Sequence, residues 1–91
     1  MARNKQTLVI HERDNVAIAL EPLAAGTSLK LPSRVEKIRI LSDIPMGHKF
    51  ALKDMGAGEA VIKYGEPIGQ STQKISQGEH VHVHNVASSP R

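Results

Sequence analysis

The sequence predicts an all-β fold, and three observations carry that prediction. Apolar residues recur in short alternating or β-branched runs, Gly or Pro punctuates the gaps between them, and helical periodicity never persists past two turns. The first run is Thr7–Ile10. It leads through His11-Glu-Arg-Asp-Asn15, whose Asp14-Asn15 pair is a natural hairpin turn, into Val16–Leu20. Ser28–Leu31, Val35–Leu41, Lys49–Leu52, Ala60–Lys63 and His80–Val86 follow as further strands. Residues 21–25, 53–57 and 73–77 each have room for one helical turn and no more.

An internal repeat supports the same class. Ala19-Leu-Glu-Pro-Leu-Ala-Ala-Gly26, Ala51-Leu-Lys-Asp-Met-Gly-Ala-Gly58 and Ser71-Thr-Gln-Lys-Ile-Ser-Gln-Gly78 share one pattern. A small residue is followed by an apolar residue four positions on (Leu23, Met55, Ile75) and by Gly seven positions on. Physically this is a strand, a tight loop pinned by one apolar side chain, a Gly suited to positive φ, and a strand again. The unit is too short for a solenoid and points to similar hairpins built into one compact barrel-like or clip-like domain.

Ninety-one residues allow one small domain. Such a chain buries roughly 60–65% of its extended surface, so a deep site enclosed by its own walls is not expected. The core is aliphatic, with 22 Val, Ile and Leu against one Phe, one Tyr and no Trp. The absence of Cys excludes disulfides, thiolate zinc sites and cysteine nucleophiles. Net charge is +3 and the pI about 9.5, yet the 12 basic residues are scattered singly and there is almost no aromatic surface for stacking bases. That argues against nucleic acid and for small anions. No apolar stretch approaches the ~20 residues of a membrane span, and Leu8–Ile10 is too short for a signal peptide, so a cytoplasmic protein without membrane contact is expected. The expected organisation is a flexible N-terminus over 1–6, one domain over 7–86 and a flexible tail over 87–91.

Five His in this length is a high count, and three of them lie in Gly78-Glu-His-Val-His-Val-His-Asn85. On a strand, His80, His82 and His84 share one face and Val81 and Val83 the other. Alternate side chains stand ~6.5–7 Å apart, close enough for two imidazoles to tilt onto one ion. Imidazole suits Fe, Mn, Zn or Ni. The same spacing also describes an exposed polar face with no ligand. His48 and Lys49, between a Pro45–Gly47 turn and a strand, form either an anion-binding or acid–base corner or an ordinary turn end. Lys63 and Tyr64 sit at a loop tip suited to a carboxylate or hydroxyls, or Tyr64 caps the core with its ring. His11 and Asn15 could face a ligand as well. The carboxylates Asp14, Asp43, Asp54 and Glu66 show no acid–base pairing of the glycosidase kind, and no phosphate loop or nucleophile elbow is present.

Four ordered motifs, Asp14-Asn-Val-Ala-Ile-Ala-Leu20, Gly47-His-Lys-Phe-Ala-Leu52, Val61-Ile-Lys-Tyr-Gly-Glu-Pro-Ile-Gly69 and Gly78-Glu-His-Val-His-Val-His-Asn85, cover much of residues 7–86. In that order they resemble the N-terminal SAF domain of the altronate and galactarate dehydratases, the UxaA family. The resemblance implies a β-clip fold, a compact small barrel of short strands. It implies β-elimination on a hydroxy acid, with a base removing the proton α to a carboxylate and a metal stabilising the charge that develops. Members of that family continue into a larger catalytic domain, whereas this sequence stops at Arg91. The resemblance therefore implies either a separately encoded small subunit or an excised fragment, and the favoured role is the small subunit of an altronate dehydratase-like hydro-lyase, active with a large catalytic subunit. The alternatives are the alpha subunit of sulfolactate sulfo-lyase, which eliminates sulfite, and a sugar-acid-binding or docking module without chemistry of its own. By the same resemblance His48, His82 and His84 contribute to catalysis. His82 and His84 ligate a divalent metal, with Fe or Mn favoured, and Lys49, Lys63, Tyr64 and Asn85 bind an anionic sugar-acid or sulfo-acid substrate. Oligomerisation is compatible with this reading.

Overall fold

The computed structural model describes residues 2–31 and 37–88, and these contain strands and turns but no helix. Ten short strands form: β1 (Ala2–Arg3), β2 (Thr7–Val9), β3 (Val16–Ala19), β4 (Ser28–Lys30), β5 (Lys37–Arg39), β6 (Lys49–Ala51), β7 (Ala60–Lys63), β8 (Glu66–Ser71), β9 (His80–Val81) and β10 (Val86–Ser88). They assemble into a five-stranded sheet of order β1-β2-β3-β6-β9, a three-stranded sheet β10-β8-β7 and a two-stranded ribbon β4-β5. Every pairing is antiparallel. The all-β class read from the sequence therefore holds.

The repeat organises the fold, and it has four copies rather than three. Ile40-Leu-Ser-Asp-Ile-Pro-Met-Gly47 has the same spacing, and the copies pair two by two. The pins Leu23 and Ile44 exchange backbone hydrogen bonds at 2.9 and 2.8 Å, and Met55 and Ile75 do so at 2.7 and 2.9 Å. In each pair the Gly N–H of one loop donates to the strand carbonyl that opens the other: Gly26 to Ile40, Gly47 to Ala19, Gly58 to Ser71 and Gly78 to Ala51. Asp43 and Asp54 reinforce the pairs by accepting from the N–H of Ala25 and Gln77. Each pair carries its own core. Phe50, Leu52, Leu29, Leu31, Ile38 and Ile40 surround the first, and Val16, Ala51, Val61 and Val81 surround the second. The single helical turns expected over 21–25, 53–57 and 73–77 do not form. The pin residue of each loop gives both its N–H and its C=O to the partner loop, which leaves nothing for an i→i−4 bond.

Other expectations are corrected at the ends and in the middle. Ala2–Arg3 pairs with Leu8 and Val9, so the N-terminus enters the sheet, and Ala87 and Ser88 belong to β10 instead of a tail. Val35 and Glu36, the first residues of the expected strand Val35–Leu41, lie outside the described residues, and that strand ends at Arg39. The longest strand, β8, is not among the strands the sequence predicts, because Pro67 and Gly69 punctuate it. It survives because the β7–β8 register shifts between Val61 and Ile62, which places Pro67 beside a bulge. Asn15 binds the other edge of β7. Its Nδ2 donates to Ala60 O at 2.9 Å and its Oδ1 accepts from Ile62 N at 2.8 Å. Tyr64 and Gly65, with φ of 59° and 72°, close the β7–β8 hairpin in the doubly positive turn that matches strand twist.

Candidate metal and substrate site

The site grows out of the pairing of β6 with β9. His48 occupies the position after Gly in the second repeat copy, where the other copies carry Thr27, Glu59 and Glu79. Glu59 and Glu79 use their carboxylates to hold the preceding turn, accepting from Gly56 N and Ser76 N. His48 has no such duty, and its Nδ1 stands 2.9 Å from His80 Nε2. His80 opens β9 opposite Phe50, one residue beyond Lys49.

The strand expected over residues 80–86 stops at Val81. Asn85 explains why. This fully buried side chain accepts from His82 N at 2.9 Å and donates to His80 O at 2.9 Å, while its own N–H bonds back to His82 O. The chain therefore turns over 82–85. The expected alternation fails there, and Val83, expected on the same face as the buried Val81, is 81% exposed. The turn also swings His82 over His48, with ring centroids 4.4 Å apart. The ligand nitrogens of His48, His80 and His82 all lie within 4.8 Å of one another.

His84 stands outside this trio, exposed, with its ring 5.3 Å from that of His80. His80, which the sequence places on the same face as His82 and His84 but not among the expected ligands, joins His48 and His82 in this trio. Its signal was the register that lays β9 beside the strand following His48, which is a long-range property. Asn85, expected among substrate ligands, has both side-chain polar groups occupied in holding the turn. Lys49 is half-buried. Burial, and then the neighbouring Lys63 charge, lower its ammonium pKa from the usual lysine range. Lys63 reaches back over the exposed Tyr64 ring, Nζ to centroid 4.8 Å. His11 instead packs its ring on Gly65, and Asp14 ties those two segments by accepting from both of their N–H groups. A groove of about 190 Å³ opens beside the cluster, lined by Lys49, Ile68, His82, Val83, Val86 and Ser88.

The donor set fits a divalent ion. Two nitrogens ligating one ion at ~2.1 Å and a right angle stand about 3 Å apart, close to the 2.9 Å between His48 and His80. Burial and the adjacent imidazoles hold the pKa of His80 and of His82 below the ordinary histidine value, which favours the neutral, ligating form. Replacing the fully buried Asn85 with Ala is expected to cost about 2–4 kcal/mol, because it removes the partners of the part-buried His82 N–H and His80 C=O and empties a buried position. Denaturant unfolding measures this, and an unchanged midpoint would show that Asn85 does not hold the turn.

Comparison with known proteins decides the family. The model of the altronate/galactarate dehydratase SAF domain matches residues 5–89. The chain belongs to this family. As an SAF domain it is 48% identical over 80 residues to altronate dehydratase of Escherichia coli, covering 88% of this chain but 16% of that protein. It is 42% identical over 81 residues to the Bacillus subtilis altronate dehydratase, again covering 16% of the relative. It is also 40% identical over 84 residues to the alpha subunit of (2R)-sulfolactate sulfo-lyase of Chromohalobacter salexigens, covering 86% of this chain and 89% of that subunit. The SAF domain therefore spans about one sixth of the altronate dehydratases it matches and nearly the whole of a small lyase subunit.

Proposed function

We propose that this chain is the small subunit of a lyase that eliminates a β substituent from a 2-hydroxy acid, as in altronate dehydration, and that it works with a large subunit. The convergence of His48, His80 and His82 beside Lys49, in an SAF domain of the dehydratase family, carries the reading. The trio would hold a divalent ion, Fe or Mn, which when bound would supply Lewis-acid stabilisation of carboxylate charge. Lys49 and Lys63 bring cationic charge to the substrate carboxylate; burial first, and then the Lys63 charge, lowers the pKa of Lys49. Carboxylate binding relieves the repulsion between the two cations. His82 lines the groove in which the proton on the carbon α to the carboxylate would be removed and passed to the β hydroxyl. The β hydroxyl then departs as water. Tyr64, exposed beside Lys63, presents a hydroxyl to the sugar oxygens.

The near end-to-end match to a sulfo-lyase alpha subunit favours a second reading, with sulfite as the leaving group. Supplying the co-purified large and small subunits with altronate and with sulfolactate separates the two. Keto-acid formation from altronate without sulfite release is expected. Sulfite release from sulfolactate alone would replace the first reading by the second, and turnover of neither would remove both.

A further inference from the structure

We infer that the apolar rim made by Val83, Ile68 and Val86 is the surface on which the large subunit docks, covering the groove that contains His82 and Lys49. This rests on the two-subunit reading above and adds to it the place of contact. Val83 is 81% exposed at the tip of a turn fixed by a fully buried Asn85, so its exposure is built into the fold rather than left to a loose loop. Ile68 is 37% exposed, on the outer face of β8, and Val86 is half-buried in the adjoining β10. These three side chains line the same groove as His82 and Lys49, so the apolar surface is continuous with the cluster. The groove, at about 190 Å³, falls below the ~300 Å³ at which ligand pockets begin, and it is open on one side. Three imidazoles also leave positions vacant on an octahedral ion. Both deficits call for a second wall.

The occupant follows from chain length. In the altronate dehydratases the matching segment is 16% of the polypeptide, so the rest of the protein accompanies an SAF domain of this kind. The partner is accordingly a protein that presents an apolar face to Val83 and donor groups to the ion.

Val83→Asp and Ile68→Asp, each co-expressed with the large subunit homologous to the rest of altronate dehydratase, test the assignment. Leu41→Asp serves as control, since Leu41 is 51% exposed but does not line the groove. Circular dichroism of each isolated variant confirms folding before association is measured. At least about tenfold weaker association for both groove variants is expected, as for substitutions at the centre of an interface, with Leu41→Asp unchanged. Wild-type association by the two groove variants overturns the docking surface and leaves the proposed function standing. Failure of the wild-type chain to bind the large subunit overturns both. An isolated wild-type dimer that Val83→Asp converts to monomer, with large-subunit binding unaffected, assigns the rim to a second copy and overturns the inference.

Discussion

A chain carrying His48→Ala and His82→Ala, reconstituted with its large subunit, is expected to lose at least about 100-fold in turnover while unfolding within about 1 kcal/mol of the parent. The activity loss follows from removing two of the three converging nitrogens. Even a residue that only orients a metal ligand is worth about 10–100-fold, so two ligands together stand at or beyond the top of that range. The small stability cost follows from partial exposure. Neither ring belongs to a hydrophobic core, and surface substitutions of this kind change stability little. His84→Ala, exposed outside the trio with its ring 5.3 Å from that of His80, is expected to change turnover by no more than a fewfold. Steady-state rates with saturating metal check both variants. A larger loss in His84→Ala than in the double variant would return the site to the pair His82 and His84.

The largest stability effect is expected from Gly78→Ala, set against Gly58→Ala. Both glycines occupy the same repeat position and have nearly the same backbone, φ +86° and +84°. Each substitution therefore bears the left-handed strain of about 1–2 kcal/mol. Their surroundings differ. A Cβ on Gly58 meets nothing within 4 Å, whereas one on Gly78 would lie 1.9 Å from the Arg39 carbonyl oxygen. That oxygen is backbone, and the neighbouring Leu41 N–H is bonded to Gly78 O at 3.0 Å, so neither segment can retreat without breaking the contact between them. Gly78→Ala is expected to cost about 3–5 kcal/mol, a large part of the ~5–15 kcal/mol that stabilises a small domain. Gly58→Ala is expected to cost about 1–2 kcal/mol. Equal costs in denaturant unfolding would show that the packing of the Gly78 loop on Arg39 contributes nothing.

The features legible in the sequence were those encoded locally. Short β-branched runs and Gly spacing gave the all-β class, and three copies of the pinned loop were visible because each keeps a small residue, an apolar pin and Gly. The fourth copy was obscured because its first residue is the large Ile40 and Pro45 follows its pin. β8 was hidden because Pro67 and Gly69 signal a loop, and the register shift between Val61 and Ile62 that accommodates them leaves no local signal. In the candidate site, the strand pattern of His80-Val-His-Val-His84 was locally sound. It failed at Val81 because Asn85 hydrogen-bonds back across the chain, a tertiary choice that alternation cannot register. The membership of His80, and the position of His84 outside the trio, both follow from that turn.

His48, His80 and His82 are proposed to act together on one ion. A Zn2+ titration of the isolated chain, followed through the ring-nitrogen resonances of its five histidines, tests this most directly, with zinc as a diamagnetic substitute that shares the preference for imidazole. The expected result is saturation at one equivalent, with the His48, His80 and His82 signals moving together and His11, packed on Gly65, unchanged. Weak, independent shifts of all five histidines that never saturate would contradict it.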